Sequence, residues 1–422
     1  MKRYIILGLC FVVSFTASAQ THNFGEFVVV EGTVFSNEQV FHNRNGASFI
    51  NDGETFLYGD LINNGALDFT PSTNGVTNFV GNATQNLAGA QPLYFNNVVF
   101  NNTSAALDNI RLNNIAFIAN IGNFTDGIVN IDDNSGQLIF ENNAVTTNTN
   151  NNSFVDGLVT KDGNNAFNFP VGDAAYFRLA AISAPANAGA TFTAKYFLED
   201  PDTNYPRASK RGVIEAINDS EYWVIENRTT NNNENLQKST RNNEEVFITL
   251  SYNSATTPVS VTPNGTITVH IIRWNATENI WEDEGGVVDE FNNTITTLTT
   301  VDNYGVFTLG RVDEEALTPT GEPIYNAITA NGDGKNDYFR IEDLEKYQNN
   351  EVLIFNRWGV EIYGTKNYGA SGNVFRGLSK NASKNGKYLP TGTYFYILTY
   401  DAAIDGATSR KRKTGFIHLN SN

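Results

Sequence analysis

Oxygen-bearing side chains at alternate positions make the segment after residue 330 a candidate calcium site. Asn331, Asp333 and Asp337 offer amide and carboxylate oxygens, and Glu342 stands where an EF-hand loop places its twelfth-position ligand. The fifth position, however, is a lysine, and Asn336 occupies the sixth position, where an EF-hand requires glycine. A loop of Asx turns without metal explains the same residues. The sequence therefore predicts no cofactor, with Ca²⁺ as the alternative.

Side chains for nucleophilic or acid–base catalysis are too scattered to indicate an active site. The four histidines are His22, His42, His270 and His418. No two of them lie within ten residues, and the sequence has no nucleophile elbow, His-Glu-x-x-His motif or phosphate-binding glycine loop. A glycosidase needs two carboxylates about 5–10 Å apart. The acids within residues 282–290 could supply them, but adjacent acids in a glycine-containing loop are usually only solvated. We assign no catalytic residues and predict that the protein is not an enzyme.

Charge is distributed unevenly along the 422 residues. The 28 Lys and Arg against 45 Asp and Glu give a net charge of −17, which argues against nucleic acid as a partner because phosphate binding needs a basic surface. Residues 323–422 carry 13 basic and 9 acidic side chains, a net +4, whereas residues 20–322 carry 13 basic and 36 acidic side chains, a net −23. A basic C-terminal part on an acidic body indicates two parts with different tasks.

The first 19 residues have the organisation of a secretory signal peptide. Lys2 and Arg3 precede the apolar run of residues 4–15, and Ala17–Ala19 form a small-residue cleavage site before Gln20. The apolar run is too short to span a bilayer core of about 30 Å, and we predict no transmembrane segment elsewhere. The only cysteine of the chain, Cys10, lies inside this segment. The exported chain is therefore expected to lack disulfides and thiol chemistry.

Sixty Asn and 35 Gly indicate an all-β protein of short strands joined by tight turns. Between residues 20 and 163, four Asn-Gly or Asp-Gly turns are each followed by a phenylalanine expected to point inward: Phe49, Phe56, Phe69 and Phe79. Turns 7, 12 and 10 residues apart are typical of a β-solenoid with Phe and Ile inside and Asn at the corners. An antiparallel hairpin array is the structural alternative, because Asn-Gly is also a strong hairpin signal.

Longer strands follow the repetitive segment. Residues 164–311 are predicted to form a β-sandwich with a core separate from that of the solenoid. Residues 312–322 contain acids, Pro319 and Gly321, and are predicted to be a linker. Within the last part, Val352 and Ile354 alternate with Leu353 and Phe355, a pattern of central strands that are apolar on both faces.

The last hundred residues carry five short motifs in a fixed order: 331–337, 352–359, 361–363, 389–396 and 413–419. Their order and spacing resemble the gliding-motility-associated C-terminal domain, the type B sorting domain of type IX secretion. Nine positions match the motifs of that family: Asn331, Gly332, Asp333, Gly334, Asn336, Asp337, Pro390, Gly392 and Gly415. The segment Ala327–Ala330 departs from the Phe-Thr/Ser-Pro common in the family, which affects a loop only.

The body also resembles a known architecture, a surface protein of bacteria that use type IX secretion, in which an Asn/Gly-rich β-helix precedes a β-sandwich. The motifs that carry this resemblance are Phe169–Asp173, Tyr222–Trp223, Ile272–Trp274 with Trp281, and Phe307–Gly310. The resulting organisation is a signal peptide (1–19), β-solenoid (20–163), β-sandwich (164–311), linker (312–322) and Ig-like sorting domain (323–422).

Two groups of side chains in the last domain are candidates for docking. Arg357 and Trp358, after a central strand, form either a cation–π pair or a core tryptophan beside a surface arginine. The basic run comprises Arg410, Lys411, Arg412 and Lys413. It is either a docking surface or a charged edge that prevents aggregation before the last strand. In the turn of residues 390–392, Gly392 is expected to adopt a positive φ.

The resemblance implies export across the outer membrane, with the C-terminal domain binding the type IX translocon and the protein ending at the cell surface or in the medium. An adhesin or gliding-motility component that binds surface polysaccharide is the expected function. Two alternatives are open: an accessory subunit retained on the translocon, and a carbohydrate-active enzyme.

Overall fold

The computed structural model describes residues 20–421 except positions 72, 212, 229–243, 265–266, 313–323, 342–343, 348, 357–358, 381–386 and 405–406. At residues 371, 402–404 and 407–412 it describes the backbone only. The predicted signal peptide lies outside these residues. The fold is all-β, with 52% strand and 3% helix. The short 3₁₀ helices are Pro201–Thr203, Val259–Val261, Leu344–Lys346 and Ala370–Gly372.

Eighteen strands, most of them two to six residues long, make up the N-terminal part. They are β1 (Gln20–Asn23), β2 (Glu26–Val29), β3 (Val34–Asn37), β4 (Val40–Asn43), β5 (Ser48–Asn51), β6 (Glu54–Leu57), β7 (Leu61–Asn63), β8 (Ala66–Asp68), β9 (Val76–Gly81), β10 (Gln85–Ala88), β11 (Leu93–Asn102), β12 (Ile110–Leu112), β13 (Ile115–Asp126), β14 (Val129–Asn130), β15 (Gln137–Phe140), β16 (Val145–Thr147), β17 (Val155–Asp156) and β18 (Val159–Asp162).

These strands stack in parallel columns, as a solenoid requires. One column runs β1-β4-β7-β10-β12-β14-β17, a second runs β3-β6-β9-β11-β13-β15-β18, and β2-β5-β8 form a third over the first turns. Every pair within the three columns is parallel, so each strand pairs with its counterpart one turn later. The part forms a β-solenoid of about six turns. The solenoid prediction is confirmed, and the antiparallel hairpin array is wrong.

Alternation along each strand decides which phenylalanines enter the core. Phe49 and Phe79 are buried as predicted, but Phe56 and Phe69 are only partly buried. In β6 the inward residues are Thr55 and Leu57, so Phe56 points to the outer face. A shift of one residue exchanges the two faces of a strand, and spacing from the turn does not fix that shift.

Asparagines line a corner of the solenoid as a hydrogen-bonded ladder. The Asn23 amide donates to Asn43 Oδ1 over 2.9 Å, and the Asn43 amide donates to Asn63 Oδ1 over 2.8 Å. Each amide also donates to a backbone carbonyl of the next turn, Ser48 and Ala66 respectively. Asn43 and Asn63 are fully buried, so these bonds satisfy polar groups that would otherwise be costly inside the core.

The middle part adds thirteen strands: β19 (Phe167–Phe169), β20 (Val171–Asp173), β21 (Tyr176–Phe177), β22 (Ala180–Ile182), β23 (Thr191–Phe197), β24 (Ile214–Ile217), β25 (Tyr222–Arg228), β26 (Ile248–Ser251), β27 (Thr268–Asn275), β28 (Ile280–Asp283), β29 (Val287–Asp289), β30 (Thr294–Thr296) and β31 (Gly305–Val312). One sheet has the order β18-β23-β25-β31-β27-β28, and the other has the order β19-β22-β26-β30-β29.

The solenoid and the sandwich share one core, contrary to our expectation of separate cores. The last solenoid strand, β18, pairs antiparallel with β23, so a single 14-stranded sheet runs from β3 to β28. One apolar cluster extends from Val29 to Leu309 and includes Trp223 and Ile248 from the two sheets of the sandwich. The physical reason is the edge of β18, which would be left unpaired if the solenoid ended there.

A buried polar network lies inside the sandwich. Glu221, which is fully buried, accepts hydrogen bonds from Tyr196 Oη over 2.7 Å and from Thr257 Oγ1 over 2.5 Å. The guanidinium of Arg178, also buried, lies 3.6 Å from the Glu221 carboxylate and donates to Thr256 Oγ1 over 2.7 Å. Burial, together with the Glu221 carboxylate, raises the pKa of Tyr196. An ion pair therefore stands in the core of the sandwich.

The C-terminal part has seven strands: β32 (Ile324–Tyr325), β33 (Ala327–Thr329), β34 (Arg340–Ile341), β35 (Glu351–Phe355), β36 (Glu361–Lys366), β37 (Gly392–Ile404) and β38 (Ala407–Asn420). A five-stranded sheet has the order β33-β38-β37-β35-β36, and β32 pairs with β34 beside it. The apolar cluster of this part draws only on residues 324–419. The part therefore has its own core.

One face of the five-stranded sheet is better buried than the other. Val352 and Ile354 lie in the core, whereas Leu353 and Phe355 are only partly buried. The second face looks toward the sandwich: Phe355 and Phe395 border an open cleft of about 650 Å³ together with Ile182 and Phe247. Across the ranges described above, no helix is long and apolar enough to cross a membrane.

Candidate functional site

The first motif of the C-terminal part is a loop held by one carboxylate. Asp337 accepts the backbone N–H of Gly332 through Oδ1 and that of Gly334 through Oδ2, each over 2.7 Å. Gly332, Gly334 and Asn336 all have positive φ, between 52° and 84°. Glycine is needed at the first two positions because this backbone region is strained for other residues, and asparagine tolerates it best among them.

Asx turns complete the loop. The backbone N–H of Asp333 donates to Asn331 Oδ1 over 3.2 Å, and that of Lys335 donates to Asp333 Oδ1 over 2.8 Å. The three calcium candidates Asn331, Asp333 and Asp337 thus use their oxygens to fold the loop itself. Among the residues described, no three His, Cys, Asp or Glu side chains gather where they could hold a metal ion. Glu342, the predicted twelfth-position residue, lies outside them.

The motif glycine in the last strand lies against a tyrosine. Gly415 pairs with Tyr396 across β37 and β38, and a Cβ atom on Gly415 would lie 2.7–2.8 Å from the Tyr396 ring and hydroxyl. Tyr396 is 2% exposed and packs on Phe339 at a ring distance of 4.7 Å, so the ring has little room to move. Glycine is therefore required here by the space that the tyrosine occupies.

The other motif glycine, Gly392, differs from our expectation. It begins β37, pairs with Leu419, and is absent from the positive-φ glycines of the described chain. A Cβ atom on Gly392 would have no other atom of the described chain within 4 Å. The predicted positive φ is wrong, because strand pairing already begins at this residue. The preceding Pro390 contributes its carbonyl, which accepts the Tyr394 hydroxyl over 2.7 Å.

These two glycines form a matched pair for substitution. We expect Gly415→Ala to destabilise the C-terminal domain by about 1–3 kcal/mol, the usual cost of overpacking a core. Gly392→Ala should leave the stability within about 0.5 kcal/mol, since its surroundings are open. Urea unfolding of residues 323–422, followed by tyrosine fluorescence, measures both. Equal midpoints for the two variants would contradict the role given to Tyr396.

The basic run lies within the last strand, not before it as predicted. In β38, Arg410 pairs with Asp401, and Arg412 pairs with Thr399 of β37. The neighbour on the other side, β33, pairs only with residues 418–420, and β35 reaches β37 only up to Thr399. The basic run therefore lies where the β37–β38 hairpin extends beyond the neighbouring strands β33 and β35. Both interpretations of the run, edge protection and docking, are compatible with this position.

The second docking candidate, Arg357 and Trp358, lies outside the described residues. The structure does describe the next residue, Gly359: a Cβ atom added there would lie 2.5 Å from the ring of Phe247. The segment after β35 therefore contacts the sandwich. Sequence reasoning missed this contact. It predicted that β35 is apolar on both faces, but not that the face with Phe355, Phe395 and Phe416 borders the sandwich of the body. The alternate apolar residues of β35 were the signal, but the same pattern fits the second face of a sandwich.

Comparison with protein families gives one match. Residues 323–419 match the model of the CHU_C type IX secretion signal domain. No curated protein and no solved structure matches the chain. The match covers the independently cored C-terminal part and includes the loop of residues 331–337, Pro390, Gly392 and Gly415.

Proposed function

We propose that this chain, whose residues 323–419 are a type IX secretion signal domain, is a non-catalytic surface adhesin associated with gliding motility. The signal domain indicates export across the outer membrane to the cell surface or extracellular space, and interaction with the secretion machinery. The body is the part that acts after export. The separate core of the signal domain supports this division, because cargo and signal can then fold independently.

The outer face of the solenoid supports a binding function. On the long strands β11 and β13, the rings of Tyr94 and Phe117 stack at 4.8 Å. Beside them, amide pairs run along the stacking direction: Asn120 donates to Asn97, and Asn148 donates to Asn123, each over 2.9 Å. A rigid face of exposed amides and aromatic rings suits polar ligands such as polysaccharides, since amides bond hydroxyl groups and rings pack on sugar C–H surfaces.

Glycan binding by the exported protein tests this proposal. Residues 20–422 are applied to immobilised bacterial and algal polysaccharides, next to the variant Tyr94→Ala/Asn120→Ala. We expect retention of the parent protein and at least a tenfold loss in the variant. Val259→Ala, at an exposed position of the sandwich, is the control and should bind like the parent. No retention on any polysaccharide would overturn the adhesin assignment while leaving export intact.

The two alternative functions give different results. An accessory subunit kept on the translocon should not appear at the cell surface. In that case the isolated C-terminal domain should bind outer membranes in a pull-down experiment. A carbohydrate-active enzyme should release reducing sugars from the same polysaccharides, with or without Ca²⁺. The amide and aromatic face favours the adhesin over the accessory subunit, because a subunit held on the translocon does not require a polysaccharide-binding face.

The basic run provides a prediction about docking. Replacing Arg410, Lys411, Arg412 and Lys413 by Ser should lower export several-fold if the run contacts an acidic receptor surface. The docking interpretation requires charges that face solvent, and such charges contribute about 0–1 kcal/mol each at most, so it predicts little change in the stability of the domain. Immunoblots of medium and periplasm, with thermal melting of the purified domain, measure the two quantities. Normal export of a stable variant would show that the run only protects the strand edge.

A further inference from the structure

The N-terminal end of the solenoid is open on all three faces. The strands of its first turn, β1, β2 and β3, each have a single strand neighbour, in the second turn, so their other edges are unpaired within the described chain. We call this surface the solenoid end. Its exposed apolar side chains are Phe24, Val28, Val30 and Val34, with exposures of 76, 39, 54 and 66%. Repeat structures normally carry a polar capping element at such an end.

Among the residues that the structure describes, none covers the aromatic core at this end. Phe27 and Phe35, both only partly buried, lie 4.8 Å apart and pack on Phe49 and Phe41 of the second turn. The same rings would be fully buried if one more turn were stacked on them. Three unpaired strand edges around an incompletely covered aromatic cluster are the features of an interface.

We propose that the solenoid end is a self-association surface at which two copies of this chain meet end to end. The two copies are related by a two-fold axis perpendicular to the stacking direction. One strand of the first turn then pairs with the same strand of the other copy, and each of the other two strands pairs with the remaining strand of the other copy. All three pairs then run antiparallel, so every open edge gains a partner at once. A single extended peptide from another protein could pair with only one of the three edges.

The opposite end of the solenoid makes the assembly a closed dimer. There β18 pairs with β23, and β20 pairs with β21, so no equivalent set of open edges exists in the described chain. Head-to-tail stacking, which would produce filaments, is therefore blocked. The body carries a net charge of −23, and repulsion between two bodies is lowest when they point away from each other. Two outward bodies would make the exported protein bivalent.

Sedimentation velocity of the exported chain, residues 20–422, tests the proposal. We expect a dimer that strengthens at least threefold from 50 to 300 mM NaCl, because salt screens the repulsion between the acidic bodies. Val28→Lys/Val34→Lys should be monomeric at the same concentration, since edge lysines oppose strand pairing. Val145→Lys/Val259→Lys, at exposed positions away from the solenoid end, should remain dimeric. Circular dichroism should show that both variants keep the parent fold.

A spin label identifies the surface that is used. Because the only cysteine lies before residue 20, a cysteine at Glu31, in the exposed turn between β2 and β3, is unique in the exported chain. It should give an intermolecular distance below about 50 Å, whereas a label at Thr277, beside β28 at the far edge of the same sheet, should give none. A monomeric parent protein, or a short distance only at Thr277, would overturn the proposal.

Discussion

Removal of residues 323–422 should abolish export and leave a folded body in the periplasm. The apolar clusters of the body contain no residue after Val312, and that of the signal domain contains none before Ile324. Removal of the signal domain therefore does not expose the apolar core of the body to solvent. Fractionation with immunoblotting measures export, and protease resistance of the periplasmic product measures folding. Wild-type amounts of the truncated body at the surface would disprove the sorting function of these residues.

A point variant separates loss of the domain from loss of its fold. Ile354→Ala, at a fully buried position, should destabilise the signal domain by about 2–5 kcal/mol and reduce export in proportion to the unfolded fraction. Val360→Ala, at an exposed position near the same strand, is the matched control and should be exported normally. Phe355, which an alternating apolar pattern places in the core, is unsuitable because it is only partly buried.

The second large effect is expected at the buried ion pair of the sandwich. Glu221→Leu should lower the free energy of unfolding of the body by about 3–5 kcal/mol, because it leaves the Arg178 guanidinium buried without its carboxylate. It also removes the acceptor of the Tyr196 and Thr257 hydroxyls. Urea unfolding of residues 20–312, followed by tryptophan fluorescence, measures the change.

Two further variants test that explanation. The double variant Glu221→Leu/Arg178→Met should regain most of the lost stability, since no unpaired charge is left inside. Glu226→Leu, in the strand β25 that follows Glu221, breaks the partly exposed pair with Arg228 and should cost less than about 1 kcal/mol. If the double variant were as unstable as the single one, packing rather than charge would account for the loss.

The fold class could be predicted because it depends on local features. Asn-Gly turns at short intervals and inward phenylalanines specify stacked short strands, and the five C-terminal motifs specify the signal domain. The phenylalanines that point into the core were harder to predict, because Phe56 and Phe49 follow similar turns yet point to opposite faces of their strands. That choice is made by pairing with the neighbouring turn, which the local pattern does not contain.

Contacts between distant residues account for what the sequence could not show in the candidate site. The need for Gly415 comes from Tyr396, nineteen residues earlier, and appears only once the register of β37 and β38 is known. The continuity of the two predicted body domains likewise depends on the pairing of β18 with β23. The positions of the docking candidates depend on such pairings too, so their roles stay predictions.

The stacked architecture of the solenoid has a mechanical consequence. Hydrogen bonds between successive turns lie along the stacking direction, so tension applied along that direction loads one turn at a time instead of shearing all strands together. β1, β4 and β7 begin at residues 20, 40 and 61, which gives about twenty residues per turn. Each turn that peels away lengthens the tether by about 70 Å of extended chain, against a stacking rise of about 4.8 Å. If the protein tethers a cell as proposed above, the work done by a sudden pull is therefore absorbed in small steps, turn by turn, before the attachment itself breaks.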